Sequence, residues 1–332
     1  MANIKDVAKL AGVSISTVSR VVNNSASVVQ NKQDAVLRAM AELHYKPNSF
    51  AKALVSNRSD TLGLVVGDLA DPFFGLMMRG VEKVANQFGK QLLINSGHHD
   101  PEQERDAIRS LVDRRCDALI IHSKALTDYH VMELLDSQPA SVLINRRVQG
   151  VEDRCVYLDN RAASSLAVNH LLKNGHRRIA FLSRDSDIED QQERLQGYQD
   201  ALIAGAIIPD SALVARGQAD HEGGYHATME LLGRKTDFTA ICAYNDAMAA
   251  GCLIALRERK VLVPNDISVI GFDDVLLARF LHPCLTTIKY PVEAMGTAAA
   301  KLALSVSGEQ IKELDGLRFE PELIVRDSAR AL

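Results

Sequence analysis

From Thr61 onward, apolar runs of four to seven residues alternate with amphipathic stretches: Thr61 to Gly67, Gln91 to Ser96, Asp117 to His122 and Ser141 to Asn145. After Leu158 the pattern restarts with Arg178 to Ser183, Ala212 to Ala215, Thr239 to Ala243 and Asp266 to Phe272. Short buried strands separated by helix-length segments build βαβ units and parallel sheets. The restart predicts two α/β lobes in series, with a ligand cleft between them, because open sheets of this kind bind at the carboxyl ends of their strands. A last strand-like run, Glu320 to Val325, comes shortly before Leu332. No coiled-coil segment follows it, so a stable tetramer is not expected.

The first sixty residues have a different texture. Ile4, Val7, Ala8 and Ala11 recur at helical spacing behind Asn3, a cap, and stop at Gly12. Ser14 can cap a second helix that turns Val18, Val21 and Val22 inward, and Ala35, Val36, Ala39, Met40 and Leu43 mark a third. Tyr45, Lys46 and Pro47 interrupt that third run, closing a three-helix module. Residues 47 to 60 are too short for a helix that is stable in isolation and read as a hinge.

Charge divides the chain along the same line. Residues 1 to 58 hold eight Lys/Arg against three acids, a net +5, so a total of −4 leaves −9 for the rest. A basic head on an acidic body suits a polyanion at one end only. With 47% hydrophobic and 24% charged residues the chain belongs with folded soluble proteins. The opening MANIKDVAKLAGVS contains no apolar run suited to a signal peptide or membrane anchor, which predicts a cytoplasmic protein with no membrane partner. Five scattered cysteines without a C-x-x-C suggest neither a disulfide framework nor a zinc site.

The segment AGVSISTVSRVVNN, Ala11 to Asn24, resembles the DNA-reading helix-turn-helix of the lactose/galactose repressor family. The resemblance implies that Ile15, Ser16 and Arg20 read bases, with Arg20 able to form a bidentate pair with guanine, while Ser14, Thr17, Ser19, Asn23 and Asn48 help at the backbone. Val29 stands where the family often has a helix-capping Ser. HYKPNSFAKAL, His44 to Leu54, resembles the family's hinge, in which an apolar side chain, here Leu54, wedges into the minor groove. Two such wedges imply a homodimer on a pseudo-palindromic operator.

Beyond Thr61 the resemblance is to the family's sugar-binding core, which is similar to periplasmic binding proteins. GLVVGDLADPFFG (Gly63 to Gly75), VLINRRV (Val142 to Val148), RLQGY (Arg194 to Tyr198), AYNDAMAAG (Ala243 to Gly251) and VIGFDD (Val269 to Asp274) are particularly similar to its galactose-responsive members. The boundaries implied are a helix-turn-helix domain at 1–46, a hinge at 47–59 and a core at 60–332. Within that core the N-lobe takes about 60–158 and 289–318, and the C-lobe about 159–288 and 319–332. The implied effector is a small sugar, D-galactose or a relative. Phe73 or Phe74 would pack on its ring, Arg194, Asn245 and Asp273 would grip hydroxyls, and Asn145, Arg146 and Asp159 would lie nearby. Phe73 and Phe74 also suit the lobe core, and each polar residue also suits a capping or ion-pairing role.

No cofactor is expected. The adjacent His98 and His99 diverge on any strand or loop, no H-E-x-x-H occurs, and both read as loop or surface histidines. Phosphate-binding glycine loops and the G-x-S-x-G elbow are missing as well. Two rivals remain at this level: a regulator of the same fold that binds DNA better with ligand, and a sugar-modifying enzyme using the Asp273–Asp274 and Arg146–Arg147 pairs.

Overall fold

The computed structural model describes residues 2–22, 28–45, 59–234, 236–314 and 316–332, in two units, Met1–Asp60 and Thr61–Leu332. In the first, Asn3 opens α1 (Ile4–Ala11) with a capping box: its side chain accepts from the Lys5 and Asp6 amides, and the Asp6 carboxylate accepts from the Asn3 amide. Gly12 ends the helix at φ 64°, the left-handed region that a residue without Cβ enters freely. Ser14 then accepts from the Thr17 amide at 3.2 Å and starts α2 (Ile15–Val22). Val29 gives α3 (Gln30–Glu42) no side-chain cap. Val7, Ala8, Val18, Val21, Val36 and Ala39 form the buried core of this unit, each valine contributing roughly 1.5–3 kcal/mol of burial.

The second unit contains two six-stranded sheets. The first is ordered β11-β5-β4-β3-β1-β2, from β1 (Thr61–Val66), β2 (Gln91–Ser96), β3 (Ala118–Ile121), β4 (Ser141–Ile144), β5 (Cys155–Leu158) and β11 (Arg318–Phe319), all parallel. The second is ordered β12-β10-β9-β8-β6-β7. Its strands are β6 (Ile179–Arg184), β7 (Val214–Gly217), β8 (Ala240–Ala243), β9 (Ser268–Asp273), β10 (Thr286–Lys289) and β12 (Glu322–Ile324), of which only β12 runs antiparallel to its neighbour. Every apolar run singled out in the sequence contains or overlaps one of these strands. β7 starts two residues later than its run because Asp210 caps a 3-10 turn at Ser211–Leu213.

Helices α4 (Pro72–Gln87), α5 (Pro101–Asp113) and α6 (Asp128–Ser137) connect strands of the first sheet. In the second lobe, α7 (Asn160–Lys173) and α8 (Glu189–Ala204) pack together, as do α9 (His221–Gly233) and α10 (Asp246–Glu258). α11 (Val292–Val306) packs on α4 and on β3 to β5, although β10 before it belongs to the other sheet. The chain therefore passes between the lobes three times, after β5, after β10 and between β11 and β12. A pair of lobes joined this way faces its strand ends, and hence its helix N-termini, toward one cleft.

Candidate ligand-binding cleft and nucleic-acid interface

On α2 the buried Val18 and Val21 leave Ser14, Ile15, Ser16 and Arg20 exposed on the other side, with Thr17 and Ser19 half-buried at the edge. Ile15 is 45% exposed on that face. The Ser14 hydroxyl lies 2.8 Å from both the Ser16 and Thr17 hydroxyls, so the helix opens with a cluster of hydrogen-bonding groups beside its unsatisfied amides. Donors of that type bind phosphate oxygens, and the exposed face behind them is free to meet base edges. Asn23, Asn48, Leu54 and hinge residues 47 to 58 lie outside the described residues.

The cleft is an open space of about 440 Å³ that merges with solvent. Six of the residues nominated from the sequence line it: Phe73, Phe74, Asn145, Arg194, Asn245 and Asp273. Asp71 caps α4 through the Phe73 amide at 2.9 Å, and the proline that follows presets the first turn. That turn delivers Phe73 and Phe74 to the wall. Both are buried and belong to the lobe core, so the core and cleft readings of them are both satisfied. Phe73 meets Phe74 and Tyr290 edge-on with ring centroids 5.3 Å apart in each case.

Arg194 anchors the opposite wall. Its guanidinium lies 3.7 Å from the Phe272 ring centroid and 4.5 Å from that of Tyr244. Nε donates to Asn160 Oδ1 at 2.9 Å, Nη1 donates to the Tyr244 carbonyl at 2.6 Å, and Nη2 stands 3.8 Å from Asp273 Oδ1. A planar cation held on an aromatic face with a fixed donor fork is suited to a pair of ligand oxygens. Burial pushes the Asp273 carboxyl well above the usual range; the Arg194 guanidinium opposes this, and Asp246, Asp71 and Asp190 add to it. Asn245 caps α10, accepting from the Met248 amide at 2.8 Å and donating to the Ala219 carbonyl at 2.9 Å. Its capping role and its place on the cleft wall coexist.

Asn145 follows β4 with φ 60° and Asp273 ends β9 with φ 114°. Non-glycine residues in the left-handed region are uncommon and cluster where a side chain must be aimed. Asn145 is held from several sides: Tyr290 donates its hydroxyl to Oδ1, Nδ2 lies 3.3 Å from Asp190 Oδ2 and 3.2 Å from His122 Nε2, and the Lys124 ammonium donates to the Asn145 carbonyl. Lys124 also donates to Asp190 Oδ1 at 2.5 Å. Burial would raise the Asp190 carboxyl, but Lys124 and Arg194 outweigh it and hold it below its ordinary value. Lys124 follows β3 and Asp190 lies on α8, so this buried pair ties one lobe to the other.

Arg146 and Asp159 do not line this space. Arg146 donates to the Ser123 carbonyl at 3.1 Å and to Asp128 at 2.6 Å. Asp159 caps α7 through the Ala162 amide and pairs with Arg318 at 3.1 Å. Both border a neighbouring cavity, which shares Asn145 and Asp190 with the cleft.

The structure adds cleft residues that sequence reasoning missed: Asp71, His99, His122, Arg184, Ile188, Asp190, Ala219 and Tyr244. Asp71 and Tyr244 sit inside quoted stretches, and His122 ends an apolar run, so the rule of strand carboxyl ends could have found all three. His98 is exposed, as read, but His99 turns inward against Gly67, where an added Cβ would lie 2.5 Å from the imidazole. The His99 ring stands 5.6 Å from that of His122 and 6.3 Å from Phe74. Nothing in the sequence around Asp190 or Ile188 signals their position.

Among the described residues no group of His, Cys, Asp or Glu is placed to hold a metal, and no helix is long and apolar enough to cross a membrane. Residues 3–48 match the family model for bacterial regulatory proteins of the lacI family, and residues 168–329 match a periplasmic binding protein-like domain. The HTH-type transcriptional regulator GalR of Escherichia coli (strain K12) is 47% identical over 329 residues, covering 99% of this chain and 96% of that protein. GalS of Salmonella typhimurium (strain LT2) is 45% identical with the same coverage. The crystal structure of the lac repressor dimer bound to operator and the anti-inducer ONPF superposes with a TM-score of 0.87 at 28% identity, covering 99% of both chains. With this kinship spanning both units, the chain belongs to the lacI family of bacterial regulatory proteins and is a helix-turn-helix transcriptional regulator with a ligand-responsive, sugar-type core.

Proposed function

We propose that the protein is a cytoplasmic, dimeric repressor of genes for the transport or metabolism of a sugar, and that D-galactose or a close relative releases it from a pseudo-palindromic operator. The observation that carries the effector class is the make-up of the cleft. Planar polar groups on Arg194, Asn145 and Asp273 line it together with the aromatic rings of Phe73 and Phe74, and a pyranose presents hydroxyls at its edge with apolar faces between them. The likeness to GalR and GalS supports galactose within that class.

Ile15, Ser16 and Arg20 read bases, and Ser14, Thr17 and Ser19 meet the backbone, with Asn23, Asn48 and Leu54 assigned to the same interface. Phe73, Phe74, Asn145, Arg194, Asn245 and Asp273 hold the sugar, while Arg146 and Asp159 support the cleft from the adjoining cavity. The domain limits are 1–46, 47–59 and 60–332. No chemical step is assigned: Asp273 and Asp274 lie on one turn, and Asp274 is occupied by Arg326 at 2.5 Å. Sugar binding and operator binding are coupled, so each weakens the other by the same factor.

Fluorescence anisotropy with a labelled galactose-type operator at fixed salt tests this reading. Tight binding released by D-galactose is the expected result. Tightening by the sugar would make the protein a corepressor-type regulator, and indifference to D-galactose, D-fucose, lactose and ribose, with calorimetry showing that none binds, would sink the sugar reading.

A further inference from the structure

Asn145 leaves His122 only one neutral tautomer. The Asp190 carboxylate, paired with the Lys124 ammonium, can only accept hydrogen bonds, so it is the amide nitrogen of Asn145 that faces it. Tyr290 donating to Oδ1 on the other side of the amide fixes the same orientation. The nitrogen has one hydrogen left, and His122 Nε2 lies 3.2 Å from it. His122 must therefore accept at Nε2. Burial, then the neighbouring His99 and the Lys124 ammonium, keep its imidazole far below the ordinary histidine value and thus uncharged. Arg146 acts in the same direction, and a weak interaction of the ring with its own backbone, outside normal hydrogen-bond geometry, opposes them. A neutral imidazole that accepts at Nε2 carries its proton on Nδ1.

That Nδ1 atom is buried and has no hydrogen-bond partner, on a residue that is 2% exposed and lines the cleft. Its ring sits between Phe74, with centroids 4.9 Å apart, and His99. Buried donors without partners are rare because each forfeits its hydrogen bonds to water. An orphan donor in the wall of a ligand cleft is satisfied when the ligand supplies an oxygen.

We propose that His122 is a specificity-determining residue: locked by Asn145 as the Nδ1–H tautomer, it donates that hydrogen bond to one oxygen of the bound sugar. This rests on the sugar reading of the cleft. It deepens that reading by assigning discrimination at one sugar position to a group that motif comparison did not nominate.

The test combines ¹⁵N NMR of the full chain labelled at histidine with calorimetry of D-galactose and its monodeoxy derivatives. In the free protein at pH 7 the expected spectrum shows His122 protonated at Nδ1 and bare at Nε2, with Nδ1 shifting when sugar binds. One monodeoxy sugar should bind roughly 5- to 100-fold more weakly than D-galactose. For that sugar alone, His122→Gln, whose amide lies near the Nε2 position and leaves nothing at Nδ1, should cost no further affinity. An Nε2–H tautomer or an imidazolium in the free protein would overturn the proposal, as would an equal His122→Gln loss with every sugar. If the Nδ1–H tautomer is present but the wild type binds none of these sugars, the sugar reading falls and takes the donor role with it, while the tautomer assignment stands.

Discussion

His99 and Asp273 show how the cleft sets the properties of individual residues. Both have positive φ, 55° and 114°, and both are titratable groups held where their charged forms are poorly solvated. For His99, burial, reinforced by the Arg184 guanidinium, lowers the imidazole from 6.5 to about 4. As the pH falls the unfolded chain takes up this proton first, so the stabilisation is complete above pH 6.5 and is lost as the pH drops toward 4. Replacing His99 by Gln removes that term. The stability gap between wild type and His99→Gln should shift toward the variant by about 1–3 kcal/mol between pH 7 and pH 4, given ~1.4 kcal/mol per pKa unit. Urea unfolding at the two pH values measures it, and a constant gap would show that the imidazole titrates as in water. Both histidines lie on the turn after β2, as loop residues; adjacent side chains diverge there, and one of the two directions leads into the cleft.

At the scale of elements, caps are the most legible feature. Asn3, Ser14, Asp71, Asp100 and Asn245 are short polar side chains that accept from amides in the first helical turn, a local interaction that depends on little beyond the next three residues. Asn3→Ala should therefore lower the stability of the first unit by about 1 kcal/mol. Thermal unfolding followed by circular dichroism should place that loss in the transition of the helical head and leave the α/β transition where it was. Strands of high apolar content are the more legible, although the wholly apolar β5 was not among the runs singled out. β10 escaped because Thr286 and Thr287 are fully buried polar residues, whose hydroxyls are satisfied by the Arg326 amide and by Asp246 from 40 and 41 residues away. β11 is two residues long and pairs only because the edge of β5 is there to receive it. Hydrophobic periodicity cannot register either kind of strand.

At the scale of the whole molecule, Leu276, Leu277 and Phe280 are 67%, 42% and 69% exposed on one short segment after β9. An exposed apolar patch of this kind marks an interaction surface, and for the homodimer proposed above it is the expected seam. Phe280→Glu should convert the dimer to monomer in sedimentation velocity and weaken operator binding, because both half-sites can no longer be held at once. An unchanged sedimentation coefficient would place the dimer contact elsewhere. The acidic body and basic head belong to the same scale, since a body carrying −9 repels DNA except where the head is presented.

Local chemistry was enough to read the caps at Asn3 and Ser14, most strands of high apolar content, the three-helix head and the resemblance that named the family, because each depends on residues within one or two turns of one another. The cleft needed the tertiary structure. Asp190 meets Lys124 and Asn145 from 66 and 45 residues away, Tyr290 reaches Asn145 across 145, and α11 returns to the first lobe after a strand in the second. Contacts at that separation form only once both sheets are closed and the chain has crossed between them. Burial and partner, which decide the role of His122 at the end of its strand, are properties of that closed arrangement.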